Sequence, residues 1–344
     1  MKISICIPQY NRIQYLVASL EIIKKQTYHD IEIVISDDCS TDNTEEIIFA
    51  LIKDYKYPIV YNRNDQNMGY DYNYRKCISL ASGKYAIVIG NDDSIFGENS
   101  IHKIVEFIKY NNYPDIGFCN LIEASSGNTP INRAIHTKCL GSGTDIALKY
   151  YSCFSFVGGL IYKKDTFERY NTSKHDGSIY AQMYLGVYMI CMGAVLFSFK
   201  EPFVLKDLVL INEHRNSYKD KIARKWSEFK IVDSGLPSVI HVLLSAILDA
   251  KQYSAKRAYS IFSRIYRITY PHWILDFKQN KALPEAFGLI IGMNPLLNKD
   301  FFKLIFIHRL RIFGSYFIVS IFSLVFPVFI YSSLKQKIYT LLKK

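Results

Sequence analysis

Residues 1–215 are predicted to form an α/β domain on a mostly parallel sheet, with a largely helical region over 216–344. Three observations carry this reading. Short runs rich in β-branched residues alternate with helix-period stretches over the first 120 residues, and repeated strand–helix units give a parallel sheet covered by helices. Three of those runs end in clusters of polar residues. From about residue 219 to 310 the pattern is helical, with basic and aromatic faces.

The elements follow in chain order. Ile3–Pro8 is an apolar run stopped by a turn, and Tyr15, Leu16, Ser19, Leu20 and Ile23 then share one helix face. Ile31–Ser36 alternates around Ile33 and Ile35 as a strand. Asp42 followed three residues later by Glu45 has capping-box spacing, opening a helix with Ile47, Ile48 and Leu51. Ile59–Tyr61 and Tyr85–Ile89 are further strands. Phe156–Tyr162 reads as a strand containing Gly158-Gly159, a pair that marks a bulge or a close approach by ligand or backbone. Ile179–Phe199 is uncharged, but Gly186, Gly193, Gln182 and Ser198 interrupt it, so a buried helix followed by a strand is expected. Val204–Ile211 is the last strand predicted.

Composition narrows the class. With 49% hydrophobic and 21% charged residues the chain is globular. Its 27 Tyr and 22 Phe deny any single aromatic much weight as a site marker. Seven cysteines with no CxxC spacing read as reduced structural thiols. The net charge of +11 comes without a nucleic-acid motif, and its excess lies late. Lys303, Arg309 and Arg311 precede Ile312–Leu334, an uncharged run of 23 residues, and Lys335, Lys337, Lys343 and Lys344 follow it. That arrangement suits an anionic membrane surface, with Pro327 expected to kink any spanning helix. Ile3–Ile7 is too short for a signal-peptide core, so the first domain is expected in the cytoplasm.

The polar clusters carry the chemistry. Gln9-Tyr10-Asn11-Arg12, Asp37-Asp38-Cys39-Ser40 and Asn91-Asp92-Asp93 each follow a strand, and parallel sheets bind ligands beyond the carboxyl ends of their strands. A nucleoside diphosphate sugar needs acceptors for its base and ribose, and a cation for its pyrophosphate. Paired carboxylates such as Asp92 and Asp93 can hold Mg²⁺ or Mn²⁺ for that purpose. The alternative makes the pair a cap for the helix beginning near Asn99.

These stretches together resemble family-2 glycosyltransferases. Ser4–Arg12 is similar to the family's opening strand and Pro-x-Tyr-Asn-Arg turn, and Asp37–Thr44 to its Asp-Asp-x-Ser-x-Asp-x-Thr segment. Asn67-Met68-Gly69 and Ala81-Ser82-Gly83-Lys84-Tyr85 resemble its Asn-x-Gly and Ala-x-Gly-x-Tyr elements, and Asn91-Asp92-Asp93 stands where the family has its metal motif. Order and spacing agree over about the first 110 residues. The resemblance implies a GT-A fold, a nucleotide-binding half at 1–115, an acceptor half at 116–215, and inversion at the anomeric carbon. It implies donor contacts from Pro8, Tyr10, Asn11, Asp38, Asn67, Arg75 and Asp92, and metal ligation by Asp92 and Asp93. Two departures stand out: Gly90 replaces an acidic residue, and the family's Arg-Asn pair appears as Tyr74-Arg75, shifted by one.

An inverting transfer needs a base to deprotonate the acceptor. Asp176, before the apolar helix, is the candidate, with a helix N-cap as its structural alternative; Glu168 and Asp165 are runners-up. His214 could complete the metal shell and Arg215 could contact phosphate. The sequence thus points to a metal-dependent inverting glycosyltransferase using Mn²⁺ or Mg²⁺. It would move sugar from a nucleotide-sugar donor to a glycan or lipid-linked glycan in surface polysaccharide synthesis. Its place would be the cytoplasmic face of the inner (cell) membrane, as a peripheral or single-span protein. A non-catalytic scaffold of a glycan-assembly complex is the competing reading, favoured by Gly90 and the displaced arginine. A nucleotidyltransferase ranks below both, because no Gly-rich basic loop follows the first strand.

Overall fold

A computed structural model describes residues 1–210 and 235–334. The chain divides into two compact units, Met1–Asn216 and Ser217–Lys344.

The first unit opens with β1 (Ile3–Gln9), α1 (Ile13–Ile23), β2 (Ile31–Asp37), α2 (Thr44–Ile52), β3 (Ile59–Arg63), α3 (Tyr70–Leu80) and β4 (Tyr85–Val88). After these come β5 (Ser94–Ile95), α4 (Ser100–Tyr110), β6 (Ile116–Glu123), β7 (Thr129–Ile131), β8 (Lys138–Gly141) and α5 (Thr144–Tyr150). β9 (Leu160–Lys163), α6 (Lys164–Tyr170), α7 (Ala181–Cys191) and β10 (Leu196–Lys206) complete it. The sheet order is β3-β2-β1-β4-β9-β6-β10-β5, with β7 on β6 and β8 on β10. On that path β1, β2, β3, β4, β6 and β10 point one way, while β9 and β5 run against them.

Alternation along the strands explains the layers. Ile3, Ile5 and Ile7 of β1 join Ile33 and Ile35 of β2 in a core with Leu16 and Leu20 of α1 and Ile101 and Ile104 of α4. The opposite face receives α3, which packs on β1 and β2. Both faces being covered, β1, β2 and β4 are buried almost throughout, the state for which a near-continuous apolar run is the signature.

One buried acid ties the sheet at the end away from the polar clusters. Glu32, 2% exposed, accepts from Lys2 Nζ at 2.6 Å, Ser4 Oγ at 2.5 Å, and Ser82 N and Oγ at 2.6 and 2.7 Å. Burial alone would raise its pKa, but these donors outweigh it and bring the carboxyl to about 2.

Several sequence expectations are corrected. Asp42 and Glu45 do not form a capping box, because Asp42 accepts from Ile13 N of α1 as well as Thr44 N, both at 3.1 Å. Gly158 and Gly159 precede β9 instead of lying in it; Gly159 has φ +77°, a turn conformation that an extended strand residue does not take. Among the described residues the last strand is Leu196–Lys206, not one opening at Val204, and Ile211 lies outside them. The helix near Asn99 begins at Ser100 without a side-chain cap, so Asp92 and Asp93 do not cap it. Asp176 does not cap α7 either: Asp71 of α3 accepts from Ala181 N at 3.1 Å and Ile179 N at 2.7 Å.

The described part of the second unit is helical. Leu236–Asp249 is followed by Ala255–Arg264, whose N-cap Ser254 accepts from Arg257 N at 3.2 Å. A π turn at Ile265–Thr269 leads into Tyr270–Gln279, accommodating Pro271, which cannot donate to the helix ladder. Leu283–Gly292 and Phe306–Val325 follow. Pro327 does more than kink the apolar run: Phe326 is extended (φ −62°, ψ 130°) and the helix stops at Val325. The uncharged stretch 312–334 is therefore not one helix.

Candidate active site

The chain adds β2 and β3 on one side of β1 and then returns to place β4 on the other. Loops leaving β1 and β4 consequently diverge at the carboxyl edge, and a crevice opens at this reversal. A cleft of about 510 Å³ lies there. Pro8 and Tyr10 line it from β1, Asp38 and Asn67 from the β2 and β3 side, and Asp92 and Asp93 from beyond β4.

The residues lining the β1–β2 end of the cleft are already organised. Asp38, 3% exposed, accepts from Asn64 Nδ2 at 2.9 Å, Met68 N at 2.8 Å and Gly69 N at 2.9 Å. A carboxylate has about four lone-pair positions, so Asp38 holds the Asn64–Gly69 loop and keeps roughly one position for a ligand. Asn67 Oδ1 accepts from Gly69 N at 3.1 Å within the same loop. Asn73 Nδ2 bridges Gln9 O at 3.1 Å and Ser36 O at 2.8 Å, joining the ends of β1 and β2. Asn11 is not among the lining residues: its backbone is left-handed (φ 53°), and Oδ1 accepts from Thr41 N at 2.9 Å. Gln9 is fully buried at the cleft, with Oε1 lacking a hydrogen-bond partner.

Three carboxylates converge at the other end. Oxygens of Asp92, Asp93 and Asp207 lie within 4.8 Å of one another. Asp207 immediately follows β10, and its N–H donates to Asp93 Oδ1 at 3.1 Å; Gly90 N donates to Oδ2 at 3.0 Å. Burial first, then the charge of Asp92, pushes the Asp93 carboxyl up to about 7 against the pull of those two N–H groups. Arg12 Nη1 meets Asp92 Oδ2 at 2.5 Å, and Lys206 pairs with Asp207. Such a hard-oxygen set fits Mg²⁺ or Mn²⁺, which takes a few carboxylates and keeps waters and phosphate oxygens in its shell. Gly90 leaves room for this arrangement: a Cβ there would stand 2.8 Å from Asp93 Oδ2 and 3.1 Å from Asp92 Oδ1, so a larger residue would displace the carboxylates.

A buried cation stands behind the wall beside Asp93. Arg133, 7% exposed, donates to Cys119 O at 2.9 Å, Cys153 O at 3.1 Å, Phe156 O at 3.0 Å and Gly158 O at 2.6 Å. Phe156 and Val157 line the cleft, and Gly158 abuts Asp93, since a Cβ on it would lie 2.8 Å from Oδ2.

Arg75 and Asp176 are brought to each other and not into the cleft lining. Arg75 Nε donates to Asp176 Oδ1 at 2.8 Å, Nη2 binds Oδ2, and Nη1 reaches Asn171 Oδ1 at 3.1 Å. His214 and Arg215 lie outside the described residues. The sequence reading did not single out Asp207, Arg12, Asn73 or Arg133. Arg12 and Asn73 carried a signal: Arg12 sits in a polar strand-end cluster, and Asn73 is a polar residue on a buried helix face.

A doubly covered sheet with a nucleotide-type crevice and an acidic cluster at its switch point defines the GT-A class of glycosyltransferases. A solved structure of S. aureus TarS 1–349 in complex with UDP shares this fold, with TM-score 0.61 at 17% identity, covering 94% of this chain and 91% of that one. Residues 4–174 match the family described as Glycosyl transferase family 2. The abequosyltransferase RfbV of Salmonella typhimurium is 31% identical over 250 residues, 64% of this chain and 69% of the relative. The Campylobacter jejuni GalNAc(5)-diNAcBac-PP-undecaprenol beta-1,3-glucosyltransferase is 22% identical over 221 residues, 63% of this chain and 70% of the relative. The chain belongs to glycosyl transferase family 2 and is a glycosyltransferase.

Proposed function

We propose that the protein is a metal-dependent inverting glycosyltransferase that extends a lipid-linked glycan at the cytoplasmic face of the cell membrane during surface polysaccharide synthesis. The observation that carries the metal-dependent part is the meeting of Asp92, Asp93 and Asp207 at the mouth of a switch-point cleft. The name of the Campylobacter relative gives an undecaprenol-linked glycan, which supports the acceptor class.

In this reading the nucleoside lies against Pro8 and Tyr10, with the remaining acceptor position of Asp38 and the Asn67 loop receiving its N–H and O–H groups. Asp92 and Asp93 hold the cation, with Asp207 beside them and His214 reserved as a further ligand. A bound Mn²⁺ or Mg²⁺ supplies neutralisation of the charge that grows on the departing diphosphate. Arg12, which pairs with Asp92 at the cleft wall, would be placed to pair with a phosphate oxygen of the donor if Asp92 ligated a cation. Asp176 is the proposed base, with Arg75 fixing its orientation through two bonds and therefore acting on the acceptor side instead of on the diphosphate.

Thermal-shift screening of nucleotide sugars with Mn²⁺ tests the donor half, because a bound ligand stabilises the fold by mass action; uridine carriers come first. Asp93→Ala is expected to abolish the Mn²⁺-dependent shift and donor hydrolysis, and equal values in variant and wild type would sink the metal reading. For the base, Asp176→Asn is expected to cost about 10²-fold or more in transfer without weakening nucleotide binding. Equal losses in Arg75→Met and Asp176→Asn would reduce the pair to a loop clasp.

A further inference from the structure

The helix Phe306–Val325 has its polarity inverted. Its buried positions are Ile312, Tyr316, Ser320 and Ser323, three of them hydroxyl-bearing. Ser320 Oγ pairs with Tyr270 OH at 2.7 Å, and Tyr316 OH donates to Ile290 O at 2.9 Å. Lys278 Nζ donates to the carbonyls of Ser323 (2.8 Å), Leu324 (2.5 Å) and Phe326 (2.8 Å), satisfying a helix end that would otherwise need water. Outward, Leu310, Phe317, Ile318, Ile321, Phe322 and Val325 are 50–73% exposed, at spacings that make one stripe. Helices at a water-facing surface do the reverse.

Charge identifies what covers the stripe. Arg309 and Arg311 lie at the start of the same helix, and neither has a carboxylate partner among the described residues. Arg309 Nε is buried without a hydrogen-bond acceptor. Arg267, beside them, bonds only the hydroxyls of Ser315 (3.1 Å) and Tyr259 (3.3 Å). An apolar stripe rimmed by unpaired cations is complementary to lipid tails beneath anionic headgroups. A spanning helix would have to abandon the Tyr270 and Lys278 bonds and carry two arginines into hydrocarbon.

We infer that the second unit seats on an anionic bilayer through this stripe, with the helix lying in the membrane plane. The inference refines the membrane location proposed above, and its test reads vesicle binding, not transfer. Full-length protein is floated with preformed phosphatidylcholine vesicles with or without phosphatidylglycerol. Binding is expected only with the anionic lipid, with loss in high salt and release by alkaline carbonate. Ile318→Glu combined with Ile321→Glu should cut the bound fraction about tenfold with melting temperature and donor hydrolysis unchanged. Val325→Asn gives the same direction if the double variant does not fold. The inference is overturned by absence of flotation, by carbonate-resistant retention (a span), or by a dimer that the glutamates dissociate while vesicle binding persists (a second copy).

A different observation carries a second inference, which rests on the metal reading. Arg133 is a buried guanidinium that donates to four backbone carbonyls, three of them in the Cys153–Gly158 turn, and also lies against the Cys119 thiol. We propose Arg133 as a positioning residue that holds this turn, and with it the Gly158 backbone, against Asp93. A lysine ammonium keeps the charge but cannot span four carbonyls. Arg133→Lys is therefore expected to raise the Mn²⁺ concentration at half-maximal thermal shift about tenfold, beyond any fall in the metal-free melting temperature. A purely structural role would lower the metal-free value and leave the Mn²⁺ midpoint in place, overturning the assignment. Should wild type itself ignore Mn²⁺, the metal reading fails and this inference with it; an unmoved midpoint against a responsive wild type sinks only the arginine's role.

Discussion

Asp93 is the residue on which pH should act most visibly. Its folded carboxyl stands at about 7 because it is buried beside Asp92. In the metal-free protein, the stability this group contributes is full below the unfolded value and disappears as pH rises through about 7. A divalent cation needs the ionised form, so its stabilising effect should run the other way. Melting temperature without metal is expected to fall between about pH 4 and pH 7 and level off above, and Mn²⁺ should progressively cancel that fall; Asp93→Asn should remove both trends. Glu32 has the opposite sign. Held at about 2, its contribution is present above the usual carboxylate range and disappears as pH falls through about 2. Glu32→Gln is expected to cost about 2 kcal/mol by denaturant titration at neutral pH, with little change in donor hydrolysis. Gly90 illustrates how a single residue misleads: read in sequence as a lost acid, it is in space a position where a Cβ would press on the carboxylates of Asp92 and Asp93.

At the scale of elements, α3 ties the end of the sheet to the start of α7. Asn73 bridges β1 and β2, Asp71 accepts the first N–H groups of α7, and Arg75 holds Asp176. Burial raises the Asp71 pKa in spite of its N–H donors. Asp71→Ala is expected to destabilise by about 1–2 kcal/mol in thermal or urea melts, since α7 then begins with unsatisfied donors. This cross-element capping was not legible in the sequence, where Asp176 and Asp42 had the local spacing of caps; tertiary partners took the role instead. The strands were legible because burial on both faces leaves a mostly apolar run, as in Ile3–Ile7 and Ile31–Ile35, broken only by Ser4 and Glu32, which pair with each other. The start of β9 was not, because the left-handed turn at Gly159 depends on Cys119 and Val204 crowding it from distant strands.

For the molecule as a whole, the switch point was legible and the third carboxylate was not. Polar clusters after β1, β2 and β4 announced one edge of the sheet, since strand ends in repeated βα units must share a side. Asp207 gave no such signal: it is one half of an ordinary-looking Lys206-Asp207 pair after an apolar run and meets Asp93 across 114 residues. That separation has a kinetic meaning. β10 zips onto β6 and β5, so the final site carboxylate arrives with the closing strand of the unit. Long-range pairings form late because chain closure precedes any gain from contact. In stopped-flow refolding from urea, the Mn²⁺-dependent signal should appear with the slowest phase, whereas most of the β1–β4 fluorescence change should precede it. Recovery of the metal response ahead of that phase would contradict the order. During synthesis, then, a nascent chain that has folded β1–β4 has not yet assembled the three-carboxylate cluster; on the proposed metal-dependent reading, cleavage or stalling before residue 207 would release a product unable to spend nucleotide sugar unproductively.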